Sequence, residues 1–261
     1  MQDTMSIANQ LWQARLNGDV LDDLPSPASI EAAYELQALI NQVSGQEIIG
    51  YKIGATSKEI QQLLNVDSPF YGPLYKDYSN PIDAAVPVHT KHTPRVEAEF
   101  VVVLKEALTA DNSASISRQQ VEQAIDHVAV AFEIIGTRIQ QDSIDESKRG
   151  RYAIADFGSN LDFVSGCARN DWQNIDLSKS PVSLAINDEQ IASGHSGLSV
   201  AGHPFEIVVW LANQPGIKKT GLPAGTQISC GTCTPVFAVK PGDKLKADFH
   251  DFGELTCTIT D

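Results

Sequence analysis

Apolar residues recur with helical spacing over the first forty-five positions, at Ile7, Leu11 and Leu16 and again at Ile30, Ala33, Tyr34, Leu36, Leu39 and Ile40. Pro25 and Pro27 separate the two helices this predicts, Ser29 is placed to cap the second, and Gly45 to close it. The run from Glu47 to Gly54 reads as a strand, 57–65 as a short amphipathic helix, and Ser68-Pro69-Phe70-Tyr71-Gly72-Pro73 as a loop. From about residue 85 the pattern shifts to short β-rich runs, at 100–104, 128–135, 161–165, 182–187, 226–230, 235–239, 244–249 and 254–259. Single helices interrupt them at 117–127 and 203–213. Alternation with turn signals such as Asn187-Asp188 and Pro241-Gly242-Asp243 predicts an α+β fold dominated by antiparallel or mixed sheet. The chain shows no internal repeat and no low-complexity tract. Asn80-Pro81 and Pro87 suggest a boundary between a helical region with one strand, residues 1–84, and a β-rich core, residues 85–261.

Against this pattern a few polar residues stand out. Arg95-Val96-Glu97-Ala98-Glu99 runs into the apolar strand 100–104, and strand alternation puts Glu97 and Glu99 on one face, with Cα atoms roughly 7 Å apart. Two carboxylates held that close at the mouth of a buried strand repel one another and lose hydration, and a hard divalent cation holds both ionised. The same spacing also suits a solvated strand end. Glu133 interrupts Ala129-Val130-Ala131-Phe132 and Ile134-Ile135, and would complete a three-carboxylate set for Mg²⁺ or Mn²⁺; Arg138 or Arg95 could instead pair with it. Lys52, among Tyr51, Ile53 and Gly54, either snorkels to water or lies beside the carboxylates, where it offsets their charge and binds an anion or moves a proton.

Cys230-Gly231-Thr232-Cys233 lacks a second Cys/His pair for zinc and does not open a βαβ unit, so the turn at Gly231 and Thr232 reads instead as backbone N–H groups offered to a ligand. His203, before Pro204, is placed to cap the helix that follows, and His195 reads as part of a flexible Ser193–Gly197 loop. The chain carries no Gly-x-Ser-x-Gly elbow, P-loop or dinucleotide fingerprint, which argues against serine hydrolase, nucleotide and NAD chemistry.

The 261 residues carry a formal net charge of −14 with no basic cluster, which disfavours a nucleic-acid partner but allows a small anionic substrate at a locally positive site. No apolar run reaches the roughly 18 residues of a membrane span. The amino-terminal stretch has an early acid and no apolar h-region, so a cytoplasmic location is expected. Four cysteines are too few for a disulfide scaffold.

Taken together, Gly50-Tyr51-Lys52-Ile53-Gly54, Pro94-Arg95-Val96-Glu97-Ala98-Glu99, Phe132–Ile139, Ile154-Ala155-Asp156, Gly202-His203-Pro204 and Trp210-Leu211-Ala212 resemble the hydratase/decarboxylase branch of the fumarylacetoacetate hydrolase superfamily (2-keto-4-pentenoate hydratase and 4-oxalocrotonate decarboxylase). The resemblance spans about residues 7–260. It implies a mixed β-roll catalytic core with a small helical N-terminal part, a homo-oligomer, and Mg²⁺ or Mn²⁺ on Glu97, Glu99 and Glu133. It places Lys52 and Asp77 as catalytic residues in the pocket of a small anionic 2-oxo acid, with Asp156 and Ser159 binding substrate beside Gly231 and Thr232. The implied activity is hydration of a 2-hydroxydienoate or 2-oxo-4-enoate in aromatic catabolism, or decarboxylation of a 2-oxo-3-enedioate on the same site. Two departures stand out: Phe157 where the family carries Asn after Ala-Asp, and a charged segment, 140–152, that is longer than the family's and suited to a lid. They also admit a non-catalytic 2-oxo acid binding homologue.

Overall fold

The computed structural model describes residues 3–109, 114–140, 142, 144–199 and 201–261. Helices α1 (Thr4–Asn17) and α2 (Ile30–Ser44) form as the spacing predicts. The Ser29 hydroxyl accepts from the Ala32 N–H, and Gly45 ends α2 in the left-handed region at φ 63°. Strand β1 (Ile48–Gly54) and helix α3 (Lys58–Leu64), capped by Ser57, follow.

Residues 70–75 depart from the expected loop. They form a fully buried strand, β2 (Phe70–Tyr75), antiparallel to β1. The Pro and Gly that read as turn punctuation are tolerated because β2 is the outer strand of its sheet, and because Gly72 leaves room for a segment packed against it. Strands β3 (Ser79–Pro81) and β4 (Ala85–Pro87) come next, then β5 (Arg95–Leu104), α4 (Arg118–Ala124) and β6 (Ile125–Ile135). Helix α4 is shorter than the expected 117–127, because Ile125 already pairs with Leu104 of β5.

The charged 140–152 segment ends in a short helix, α5 (Arg149–Ala155); its Gln141 and Ser143 lie outside the described residues. The chain continues through β7 (Asn160–Arg169), β8 (Pro181–Ile186), β9 (Glu189–His195), α6 (Pro204–Ala212), α7 (Pro215–Thr220), β10 (Gln227–Thr232), β11 (Phe237–Ala238), β12 (Lys244–Asp248) and β13 (Glu254–Thr260). His195 closes β9, and its Nδ1 accepts from the Gly197 N–H, so it is held by a turn and is not part of a flexible loop. His203 caps α6, accepting from the Phe205 N–H.

The strands make two curled sheets. The larger has the order β2-β1-β10-β5-β6-β7-β3, with β11 paired to one end of β5; the smaller is β4-β13-β12-β8-β9. The chain crosses between sheets near residue 83: β3 runs parallel to β7 in the first, and β4 parallel to β13 in the second. One face of the larger sheet, including Val96, Ala98, Phe100, Val102, Val130, Phe132 and Ile134, joins residues of the smaller sheet and α6 in the main core. The opposite face of β5 and β6 buries only a small cluster around Val101, Ala129, Ala131 and Phe163. Glu97, Glu99 and Glu133 lie on that second face, so a sheet hydrophobic on one side presents carboxylates on the other. No helix among the described residues is long and apolar enough to cross a membrane.

Candidate metal centre

β5 and β6 pair with Glu97 opposite Glu133 and Glu99 opposite Ala131, which gathers the three carboxylates over one patch of sheet. One carboxylate oxygen from each lies within 4.8 Å of the others. Glu99 and Glu133 are both 0% exposed and Glu97 is half-buried, which sets aside the solvated strand end. β1 runs parallel to β10 with Lys52 opposite Ser229, and Ser229 lies opposite Val101 of β5. Lys52 therefore points to the same face. It is 2% exposed and its Nζ lies 2.7 Å from Glu133 Oε1, so it does not snorkel. Glu133 pairs with Lys52 and with neither Arg95 nor Arg138; the Arg138 guanidinium donates to Asp156 at 2.6 Å.

Each buried carboxylate is held by one oxygen. Glu99 Oε2 accepts from the Ser229 hydroxyl and, at 3.0 Å, from the Gly231 N–H. Glu133 Oε1 accepts from Lys52 and, at 3.1 Å, from the Asn160 amide. Among the described residues, Glu99 Oε1 and Glu133 Oε2 are buried and have no hydrogen-bond partner. A buried carboxylate oxygen without a donor is strongly disfavoured. Here two converge beside a third carboxylate, a donor set of hard oxygens suited to a divalent cation. The residues present fit such an ion.

The site rests on two unusual backbone turns. A bulge in β10 between Ser229 and Thr232 aims the Gly231 N–H at Glu99, with Gly231 at φ 98°; a Cβ there would lie 2.4 Å from the Thr56 hydroxyl oxygen. Gly231 thus offers its N–H to Glu99 rather than to a ligand, while the Thr232 hydroxyl donates to the Thr234 carbonyl at 2.7 Å. The second turn is Phe157-Gly158-Ser159, three successive residues with positive φ (57°, 65° and 66°). It lies on Gly72, and a Cβ on Gly158 would sit 2.8 Å from the Gly72 Cα and 3.2 Å from Lys52 Cδ. The turn therefore packs the stem of Lys52 in place.

That geometry also answers the Phe157 departure. Its ring is fully buried and turned away from the carboxylates, among Trp12 and Tyr75 and between the Arg15 and Arg138 guanidinium groups at 4.9 and 4.7 Å. Asp156 has both carboxylate oxygens engaged, with the Arg138 side chain and backbone N–H and the Thr137 hydroxyl. It holds the segment leading to Asn160, as Arg138 and Arg15 do by donating to the Asn160 carbonyl at 2.8 and 2.7 Å. Ser159 lines a cavity at the edge of the carboxylate patch. Asp77 stands apart, exposed in a single turn of 3₁₀ helix and facing a different cavity with Arg15, Asn80 and Asp162. Ser229 and Asn160 are the supporting residues that the sequence reading missed. Ser229 had a signal, a polar residue on the inward register of an apolar strand; Asn160 had none.

Burial, reinforced by the neighbouring carboxylates, raises Glu99 well above the ordinary 4.5 and Glu97 to about 7. Burial alone would lower Lys52, but Glu133, Glu97 and Glu99 together raise it, so it is a cation at neutral pH. A raised carboxyl favours the fold below its ordinary value of 4.5, and that contribution is lost as pH rises through the folded value, about 7 for Glu97. Protons and metal compete for the same oxygens. Millimolar Mg²⁺ should therefore raise the melting temperature more at pH 8 than at pH 5; a shift equal at both, or larger at pH 5, contradicts the site.

Residues 60–260 match the fumarylacetoacetate (FAA) hydrolase C-terminal family model, over most of the chain. The chain belongs to the FAA hydrolase C-terminal family. It is 33% identical over 255 residues to the 2-keto-4-pentenoate hydratase of Paraburkholderia xenovorans, covering 95% of this chain and 91% of that one. It is 29% identical to a 4-oxalocrotonate decarboxylase of Pseudomonas putida, covering 96% and 92%. Among solved structures, a Pseudomonas putida 4-oxalocrotonate decarboxylase complexed with magnesium and adipate matches with a TM-score of 0.85 and 26% identity, covering 98% and 97%. Within this FAA hydrolase fold, Cys230 and Cys233 are buried thiols that burial pushes upward.

Proposed function

We propose that the protein is a divalent-metal-dependent lyase of 2-oxo acids, a hydratase that adds water to a 2-hydroxydienoate or 2-oxo-4-enoate. The observation that carries it is the pair of buried, unpartnered oxygens on Glu99 and Glu133 beside Glu97. The relatives named as hydratases support the reaction class.

Glu97, Glu99 and Glu133 would hold Mg²⁺ or Mn²⁺, which when bound supplies Lewis acidity to a 2-oxo oxygen. The Ser229 hydroxyl, the Gly231 N–H and the Asn160 amide fix the carboxylates from behind, so that their free oxygens stay aimed at one point. Lys52 keeps a proton on Nζ next to the place where negative charge grows on the substrate's C2 oxygen, and can hold or pass that proton there. Its charge also matters for binding: three carboxylates, one lysine and one divalent ion sum to zero before the anionic substrate enters. The same charge stabilisation serves decarboxylation, and the match to the decarboxylase structure favours that as the second reading. Phe157, turned into the core, gives no support to a non-catalytic homologue. A homo-oligomer in the cytoplasm belongs to the same proposal, and light scattering tests the assembly.

With Mg²⁺ or Mn²⁺ the absorbance of 2-hydroxypenta-2,4-dienoate is expected to decay, and EDTA to stop the decay. Turnover unchanged after full chelation contradicts the proposal. Release of CO₂ from 2-oxohex-3-enedioate without water addition to the dienoate selects the second reading.

A further inference from the structure

Arg15, in the last turn of α1, is a buried cation without a counter-ion. It is 4% exposed, and among the described residues it makes no ion pair. Its Nε is buried with no hydrogen-bond partner. A guanidinium so placed is disfavoured relative to an apolar side chain of similar volume. Burial and the neighbouring Arg138 push it down to about 10, which leaves it charged at neutral pH. The rest of the buried face of α1, with Ile7, Ala8, Leu11 and Trp12, packs into an apolar cluster with Tyr75 and Phe157. Holding the helix on the fold therefore does not call for a charge.

The charge is spent on Asn160. Arg15 Nη1 donates to the Asn160 carbonyl at 2.7 Å, and Nη2 to the Leu161 carbonyl at 2.5 Å and the Asn160 Oδ1 at 3.5 Å. The Tyr78 and Phe157 rings lie against the guanidinium at 4.1 and 4.9 Å and keep the fork in place. Arg138 also donates to the Asn160 carbonyl, at 2.8 Å, so the backbone there is held from two sides. The Asn160 side chain is not. An asparagine amide can turn over, its oxygen and nitrogen exchanging places with almost no change of shape. A guanidinium only donates, so beside Arg15 the amide oxygen faces the fork and the NH₂ group faces away. That NH₂ group donates to Glu133 Oε1 at 3.1 Å and to the Asp162 carbonyl at 3.4 Å. Turned over, Asn160 would set an oxygen against the Glu133 carboxylate. In the orientation that Arg15 selects, Asn160 and Lys52 together hold Oε1, and Oε2 is the oxygen left over.

We propose that Arg15 is a positioning residue of the metal centre: by fixing the Asn160 amide it decides which oxygen of Glu133 is left for the cation, and α1 thereby sets the affinity of the site for its divalent ion. The inference rests on the metal reading of the three glutamates and extends it to a helix that contributes no ligand. The chain of contacts runs from the Arg15 fork to the Asn160 amide to Glu133.

Calorimetric titration of Mg²⁺ into the wild type, Arg15→Met, Asn160→Leu and the double variant tests it. Each single variant is expected to bind Mg²⁺ about tenfold or more weakly, the loss typical when a residue that orients a ligand is removed. Because Arg15 acts through Asn160, adding Arg15→Met to Asn160→Leu should change the affinity by less than about twofold. A structural role alone would lower the melting temperature of Arg15→Met and leave the Mg²⁺ affinity of the folded protein unchanged, and that result overturns the proposal. Losses that multiply in the double variant overturn it too, since Arg15 would then act by another route. If Arg15→Met does not fold, Arg15→Lys makes the same comparison, with a single ammonium in place of the fork: Mg²⁺ should bind at least about threefold more weakly, and with no further loss in the Asn160→Leu background. Unchanged affinity in Arg15→Lys would then overturn the proposal. A wild type that binds no Mg²⁺ overturns the metal reading itself, and the role of Arg15 with it.

Discussion

At pH 8, Glu99→Gln is expected to leave the metal-free protein at least as stable as the wild type while weakening Mg²⁺ binding by more than ~100-fold and abolishing turnover. The two effects have one cause. Glu99 is fully buried among two other carboxylates, and its ionised form is disfavoured there. Glutamine matches the shape of the protonated acid, keeps a carbonyl oxygen to accept from Ser229 and Gly231, and removes the repulsion with Glu97 and Glu133. What it loses is a charged ligand. Removing residues that only orient a ligand already costs roughly 10–100-fold in metal affinity, and a ligand itself should cost more. Thermal melting and Mg²⁺ titration of the same preparation check both halves. Normal Mg²⁺ affinity would place the cation elsewhere, and a large loss of stability would mean that Glu99 is ionised and satisfied without metal.

Lys52→Met should lower kcat by about 100- to 10,000-fold, visible at saturating substrate, the range typical of a group that transfers a proton or stabilises developing charge. Methionine keeps most of the apolar stem that packs against Gly158 and removes only the ammonium group. Mg²⁺ affinity serves as the control. Deleting a buried cation 2.7 Å from Glu133 makes the patch more negative, so Mg²⁺ should bind as well as before or tighter. Loss of turnover with metal binding retained assigns Lys52 to the reaction. Wild-type kinetics would reduce it to a counter-ion for Glu133.

The parts of this site that were legible in the sequence are those set by local periodicity. Glu97 and Glu99 share a face because side chains alternate, and Glu133 stood out as a charge in an apolar run. The choice of partner for Glu133 was not legible. Arg138 is close in sequence, yet Lys52 reaches Glu133 because β1 lies parallel to β10, with β10 and β5 between it and β6, a pairing that no local pattern encodes. Arg138 was diverted by Asp156, whose carboxylate stands just before a turn of three left-handed residues. The same turn inverted the expectation for Phe157, sending its ring into the core where an amide side chain was looked for in the pocket. Residues 70–75 were misread for a related reason: Pro69, Gly72 and Pro73 are turn residues by propensity, and only their place on an outer strand, with Gly72 beneath the 157–159 turn, makes them part of a sheet. The Gly231 N–H was recognised as a donor, but its acceptor is Glu99, a contact created by a bulge that has no sequence mark beyond the glycine.

The central claim is that Glu97, Glu99 and Glu133 together hold one divalent cation that engages a 2-oxo acid. A crystal structure of the protein soaked with Mg²⁺ and oxalate tests it most directly. The account predicts a single cation contacting Glu99 Oε1, Glu133 Oε2 and the Glu97 carboxylate, with oxalate on its open side beside Lys52. A cation bound away from these three carboxylates, or oxalate seated without touching the cation, would contradict it.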